Sequence, residues 1–394
     1  MTFRLTIDVP AWHRTQEEAA ARFPGLVPVI KGNGYGFGSA LLSARATALQ
    51  AETVGVGVSG EIASVRAGFA GQILVMAPLQ MAELDDFKAG DPDPSVLRTV
   101  AHPDVLRALA QLPRPPKIVL ELDSPVHRHG IPPEQLLDLV PALRRLPLAG
   151  LALHLPSTGD RWPAAQAALQ AVGKLRKAGV DPTTLWVSHL SSAQVARLAE
   201  ADPLTRIRPR VGTSLWLGNR SDFVVSGTVL DAHAAPRHEA VGYRQRRSGA
   251  GTILVVSGGT AHGVGLQGAS SRGGLRDLAR AALAGAAHGA GLAPSPFRWN
   301  GKRLRYADVP HMQISMLLVG SGVTPPVVGD RLTCDVRMTV TTFDEIEMIS
   351  NGTSSGVKPF PATVPPPTTI QLPGSERTSP LPGTGSGSVE SRRW

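Results

Sequence analysis

The chain predicts an α/β fold: an N-terminal parallel (β/α)8 TIM-like barrel, a mainly β C-terminal domain and a disordered tail. Three observations carry that reading. Through roughly the first 215 residues, eight short apolar runs alternate with helix-like stretches. Near residue 222 the texture changes to strand-like runs broken by Gly and Pro. From about residue 355 the composition turns to Pro, Ser, Gly and Thr, which bury too little apolar surface to offset chain entropy.

The eight candidate strands are VPVIK (27–31), TVGVGV (53–58), QILVM (72–76), SVLRTVA (95–101), KIVLELD (117–123), LAGLALHL (148–155), TLWVSHL (184–190) and RIRPRV (206–211). Between them lie helix-like runs such as SALLSARATALQ (39–50), GEIASVRAG (60–68), AAQAALQAVGKLRKAG (164–179) and SAQVARLAEAD (192–202). The second domain is read from DFVVSGTVLDAHAAP (222–236), GTILVVSGGTAHGVGL (251–266), HMQISMLLVGSG (311–322) and VVGDRLTCDVRMTV (327–340). The expected domains are a barrel over 1–221, a β domain over 222–354 with a helical insertion near 266–298, and a disordered tail over 355–394.

Composition narrows the function. Apolar residues make up 42% of the chain, enough for a sizeable core. No run approaches the ~18 apolar residues of a membrane span. The opening MTFRLTIDVPAWHR lacks the apolar stretch of a signal peptide, so a cytoplasmic location is expected. A single cysteine, Cys334, excludes an internal disulfide and a Cys-based zinc site, and reads as a small buried hydrophobe. The net charge of +9 rests mostly on scattered arginine, with only 5% aromatics, which argues against a nucleic-acid face.

VPVIKGNGYGFG (27–38) places Lys31 where the first barrel strand gives way to a glycine ladder. Chemistry in this fold sits at the C-terminal ends of the strands. An amine that sheds its proton there condenses with an aldehyde to a Schiff base. The glycines let the backbone bend close to a ligand. The stretch alone suits equally a surface lysine before a Gly-rich turn. It does not have the G-x-G-x-x-G spacing of a dinucleotide loop.

This segment resembles the pyridoxal-phosphate lysine segment of alanine racemases, and the resemblance runs from about residue 5 to 350. It implies a β/α barrel with a C-terminal β domain, pyridoxal 5′-phosphate as cofactor, and a small amino acid as substrate, with D-alanine destined for peptidoglycan precursors. Lys31 matches the Schiff-base lysine, which is also one of two racemisation bases. Tyr35 matches a tyrosine at the cofactor phosphate. ELDSPVHRHG (121–130) matches the segment that carries an arginine beside the phenolic oxygen and substrate, here Arg128. Glu121 stands where many relatives have a carbamylated lysine that holds this arginine, and a carboxylate supplies the same charge. His154 matches a histidine near the cofactor ring, though a histidine ending an apolar strand is also a common structural residue.

SHLSSA (188–193) resembles the phosphate-binding segment, with Ser192 as donor; a serine there also suits a helix cap. RPRVGTSLWLG (208–218) places Arg210 at the cofactor's pyridine nitrogen, with Gly212 and Thr213 offering N–H groups to the phosphate. An arginine there keeps that nitrogen unprotonated and limits side reactions, favouring racemisation.

The pattern breaks in the β domain. The family's second base is a tyrosine delivered across a head-to-tail homodimer, and the matching GGTAHG (258–263) has Thr260 in its place. A threonine hydroxyl is a poor general base. His262, two residues on, is a substitute if its imidazole turns inward; the alternative is a solvent-facing loop histidine. The other two tyrosines besides Tyr35, Tyr243 and Tyr306, do not fill the gap. Met312 matches a methionine bordering the substrate carboxylate, or else a core methionine, while Gln313 replaces an acid and Asn351 a tyrosine. The resemblance thus implies an amino-acid racemase that forms a homodimer and binds neither nucleic acid nor membrane. A one-base decarboxylase or lyase, and a non-catalytic cofactor binder, are the alternatives that the missing tyrosine leaves open.

Overall fold

The computed structural model describes residues 2–88, 92–247, 249–265, 294–350 and 353–357. In chain order the first part contains β1 (Phe3–Asp8), α1 (Val9–Arg22), β2 (Val27–Ile30), α2 (Ser39–Ala48), β3 (Thr53–Val56), α3 (Ile62–Arg66), β4 (Gln72–Val75), β5 (Val96–Val100), α4 (Pro103–Leu109), β6 (Ile118–Leu122), α5 (Val140–Leu143), β7 (Leu148–Leu153), α6 (Trp162–Lys177), β8 (Thr184–Ser188), α7 (Ser192–Ala201), β9 (Arg206–Val211) and α8 (Thr213–Trp216). Strands β2 to β9 pair in parallel and close into a barrel, with β9 returning to β2. These are the eight runs expected from sequence. They read as continuous apolar stretches because a parallel barrel strand is covered by helices outside and by its neighbours inside.

Val27, Leu74, Leu97, Val119, Ala152 and Trp186 fill the barrel interior. The helices follow their local signals. Asp8 caps α1 by accepting from the Ala11 N–H at 3.0 Å. Ser191 and Gln194 form a reciprocal capping box at the start of α7.

The second part contains β10 (Phe223–Ala235), β11 (Ala240–Val241), β12 (Arg246–Arg247), β13 (Gly251–Ser257), β14 (Pro294–Trp299), β15 (Lys302–Tyr306), β16 (Ile314–Gly320), β17 (Arg331–Cys334), β18 (Glu345–Ser350) and β19 (Thr353–Val357). Nine strands form one sheet in the order β13-β16-β15-β14-β17-β10-β1-β18-β19, and β13 pairs with β10 as well. Cys334 is buried in it, and burial pushes its thiol pKa up, as befits a small core hydrophobe.

The structure corrects the expected domain map at three points. The first residues do not belong to the barrel: β1 lies in the C-terminal sheet, antiparallel to β10 and parallel to β18. Its alternation puts Phe3, Leu5 and Ile7, all fully buried, into that sheet's core. Residues 294–298, assigned to a helical insertion, form β14, whereas 266–293 lie outside the described residues. Residues 355–357, assigned to the tail, are in β19; the rest of the tail and Asn351 also lie outside the described residues.

Candidate active site

Lys31 follows β2 directly, at the C-terminal mouth of the barrel. The loop behind it is held from both sides. One Glu61 carboxylate oxygen accepts from the Gly32 N–H and the other from the Gly57 N–H, each at 2.6 Å. A Cβ at Gly57 would come within 3.2 Å of the Lys31 Cβ, so the lysine stem passes close over the end of β3. From the other side, Asn33 Nδ2 donates to the carbonyls of Met338 and Thr341 in the β domain, at 3.0 and 2.7 Å.

Tyr35 sits in this loop with φ +56°, a left-handed conformation costly for a bulky residue. Its phenol is buried against Gly212, where any Cβ would lie 2.1 Å from the hydroxyl oxygen. Only glycine fits at that contact. Burial raises the Tyr35 pKa to about 12, against the opposing hydrogen bond with Thr213 and with a further push from Glu61. The phenol therefore stays protonated, a donor beside the start of α8. Thr213 begins that helix, and Ser192 lies exposed on the first turn of α7. The cap itself is Ser191, whose Oγ accepts from the Gln194 N–H at 3.2 Å. Lys31, Tyr35, Ser192, Gly212 and Thr213 are thus gathered at one end of the barrel.

The mouth holds a cavity of about 250 Å³, bordered by Lys31, Met76, Glu121, Arg128, His154 and Arg210 among others. Arg210, on β9, is buried. Its Nη1 lies 3.5 Å from Glu121 Oε2 on β6, while Nε and Nη2 are buried without a hydrogen-bond partner among the described residues. Glu121 was expected to hold Arg128 and instead faces Arg210. The two strands point these side chains into the barrel, whereas Arg128 stands on the exposed loop after β6.

That loop is pinned at its base. Ser124 Oγ donates to the His154 carbonyl at 2.6 Å, and the Ile131 N–H to the Glu121 carbonyl at 2.9 Å. Gly130, at φ +133°, lies flat against Leu122 and Asp123, where a Cβ would clash at 2.3 Å.

His154 follows β7, with Nδ1 3.1 Å from Ser188 Oγ. Burial, then the positive charges of Arg210, Arg128, His189 and Lys31, depress its pKa to about 3. It is a neutral imidazole at physiological pH, suited to packing and hydrogen bonding and unsuited to carrying protons.

The β-domain candidates fall elsewhere. Thr260 is exposed, its N–H donating to the His311 carbonyl at 2.8 Å. Met312 is 70% exposed, which corrects its alternative reading as a core residue. His262 takes neither expected position. It is buried in its own domain, its Nδ1 accepting from the Gly259 N–H at 3.2 Å and its Nε2 3.1 Å from Asp344 Oδ1. Its ring packs on Phe3. Both ring nitrogens of His262 are thus engaged within the β domain. Neither Thr260, His262 nor Met312 borders the cavity.

Residues 7–219 match the family model described as alanine racemase, N-terminal domain. The chain belongs to the alanine racemase family. An alanine racemase of Halorhodospira halophila (strain DSM 244 / SL1) is 34% identical over 170 residues, spanning 40% of this chain and 45% of that protein. One from Thioalkalivibrio sulfidiphilus (strain HL-EbGR7) is 34% identical over 149 residues, spanning 36% and 40%. The match therefore spans under half the length of these curated relatives. The fold is shared more widely. The alanine racemase of Bacillus anthracis with bound L-Ala-P superposes with a TM-score of 0.65 at 16% identity, covering 91% of this chain and 97% of that one. That of Bartonella henselae, with covalently bound pyridoxal phosphate, gives 0.62 at 16% identity, over 85% and 90%.

Three residues of this racemase-family site escaped the sequence reading. Glu61, Ser124 and Ser188 hold backbone groups or a neighbouring ring; Ser124 and Ser188 lie inside the ELDSPVHRHG and SHLSSA segments, but nothing in those motifs marks them. Glu61 offered a signal of its own, as an acid three residues past the end of the TVGVGV run.

Proposed function

We propose that this protein is a pyridoxal 5′-phosphate-dependent amino-acid racemase interconverting L- and D-alanine or a related amino acid. The observation that carries this is the cavity itself. It pairs the amine of Lys31 with a buried arginine whose Nε and Nη2 have no acceptor among the described residues. Unused buried donors cost about 1–3 kcal/mol each, so the site is built for an acceptor from outside. A pyridine nitrogen is such an acceptor, and the donor set fits the cofactor.

When bound, the cofactor supplies an aldehyde for the lysine and an electron-withdrawing ring that makes the substrate's Cα proton removable. The protein's residues do the rest. Lys31 anchors the cofactor and moves a proton at Cα. Tyr35, Ser192, Gly212 and Thr213 hold the phosphate. Arg210 donates to the ring nitrogen, and neutral His154 packs beside the ring without competing for protons. Arg128 holds the substrate carboxylate, and Met312, which lies outside this chain's own cavity, joins it from a second copy across the shared site. Family membership supports this reading over a one-base decarboxylase or lyase and over a non-catalytic binder. A cytoplasmic homodimer with shared sites, making D-alanine for peptidoglycan precursors, is the setting that the family resemblance implies.

The test loads the purified protein with pyridoxal phosphate, reduces it with borohydride and maps the modified residue. The expected result is cofactor fixed on Lys31, none on Lys31→Ala, and inversion of L- or D-alanine in a chiral assay. Cofactor trapped elsewhere, or inversion surviving in Lys31→Ala, sinks the proposal.

A further inference from the structure

Parallel strands bring their first residues to one end of a barrel, so the foot opposite the mouth is built from strand beginnings. Gln72, Thr184 and Arg206 open β4, β8 and β9, while Glu52 and Lys117 stand just before β3 and β6. These residues border a second cavity of about 440 Å³, which shares no lining residue with the mouth. Trp186, one of the side chains that fill the barrel, forms part of its wall.

The charges at the foot do not balance. Successive residues of a strand face opposite ways. On β9, Ile207 packs with the apolar residues of the helices, so Arg206, Arg208 and Arg210 share the inward face. Arg210 belongs to the mouth, whereas Arg206 and Arg208 border the foot together with Lys117. A single carboxylate answers all of them. Glu52 Oε1 lies 2.6 Å from Arg206 Nη2, and its Oε2 lies 3.1 Å from Arg208 Nη1. Lys117 has no ion pair among the described residues. Arg208 is buried; its Nε donates to the Gly25 carbonyl at 2.8 Å, and its Nη2 has no acceptor among the described residues. The Trp186 indole N–H is also buried without one. Burial, and then the charge of Arg206, lower the Arg208 pKa against the pull of Glu52. An ion network that served only to tie strand ends together would match its cations with anions, because uncompensated buried charge is costly.

We propose that this foot cavity binds the phosphate group of a small phosphorylated molecule. Three cations and one carboxylate border it, which leaves two positive charges. A phosphate monoester carries about −1.5 to −2 at pH 7. Guanidinium and ammonium groups are the side chains that recognise it, through charge-assisted hydrogen bonds. The space exceeds what a bare ion needs and falls within the ~300–1,000 Å³ of small-molecule sites. Thr184 and the Gln72 amide border the same space and suit the uncharged part of such a molecule. No residue of the mouth enters this inference, so it stands apart from the racemase reading.

The experiment loads the full chain with pyridoxal phosphate, so that the mouth is occupied, and works in phosphate-free buffer. Glycerol 3-phosphate, inorganic phosphate and succinate are then titrated by calorimetry. Glycerol 3-phosphate is expected to bind once per chain. Lys117→Gln and Arg206→Gln are each expected to weaken it by about 10-fold, the loss of a hydrogen bond to a charged group. Glu52→Gln removes the competing carboxylate and is expected to tighten binding, a direction that a purely structural network does not produce. Inorganic phosphate binding as tightly as the ester supports the site with the free ion as its occupant. Succinate binding as tightly as the ester, no heat from either phosphate, affinity unchanged in both Lys117→Gln and Arg206→Gln, or weaker binding in Glu52→Gln overturns the proposal.

Discussion

At Arg210 one nitrogen meets a carboxylate and two meet a cavity. The residue type was legible in RPRVG, but its partner was not. Residues 121 and 210 are 89 positions apart, and nothing local distinguishes a glutamate that will face Arg128 from one that will face Arg210. Only barrel closure, which sets β6 and β9 to point inward at the same level, decides it. His154 shows the same limit from another side. Its place near a cofactor was read from motif, while its chemistry comes from burial and four neighbouring cations or rings.

That chemistry is testable through stability. The folded pKa of His154 is about 3 and the ordinary value 6.5. Between them the unfolded chain binds a proton that the folded chain refuses. The stabilisation is therefore complete above pH 6.5 and is lost progressively as pH falls toward 3. Wild type is expected to lose more in its urea midpoint between pH 7 and 5 than His154→Gln does. Parallel losses in the two proteins contradict the assignment.

Among the elements, the loop after β2 shows how the amine of Lys31 is held still at the barrel mouth. Its glycines cannot rigidify it, and five of its residues from Gly32 to Gly38 have positive φ. Glu61 and the β-domain carbonyls do that work from outside. Glu61→Gln keeps the shape and removes the charge from two 2.6 Å hydrogen bonds. Hydrogen bonds to charged groups are worth about 1.5–3 kcal/mol. The variant is expected to unfold at lower urea and to trap cofactor on Lys31 more slowly under borohydride; an unchanged midpoint and rate would show the clamp to be idle. Elements themselves were readable in proportion to their burial. The barrel strands announced themselves as apolar blocks. β14, β15 and β18 did not, because FRW, KRLRY and EIEMIS mix charge with apolar residues on half-exposed faces.

For the molecule as a whole, β1 is the seam. It joins β10 to β18, and the Phe3 N–H also reaches the Asp344 carboxylate at 2.8 Å across a separation of 341 residues. Burying Phe3, Leu5 and Ile7 contributes about 1.5–3 kcal/mol each, a sum comparable with the ~5–15 kcal/mol that holds a typical domain together. Deleting residues 2–8 is therefore expected to broaden or abolish the thermal transition seen by circular dichroism. A sharp transition at the wild-type temperature would show the seam to be dispensable. The sequence reading placed this segment with the barrel because it precedes it, and a short FRLTID alternation carries no label for the sheet it will join.

The seam also has a bearing on how the polypeptide is made. Phe3 to Asp8 are translated before the barrel, yet both strands they lie between are translated after it, β18 among the last of the described segments. While the barrel is being made, this segment carries three apolar side chains with no sheet to join. Its edge is open to whatever strand it meets, so the interval before residues 345–350 appear is when this chain most needs shielding from its neighbours.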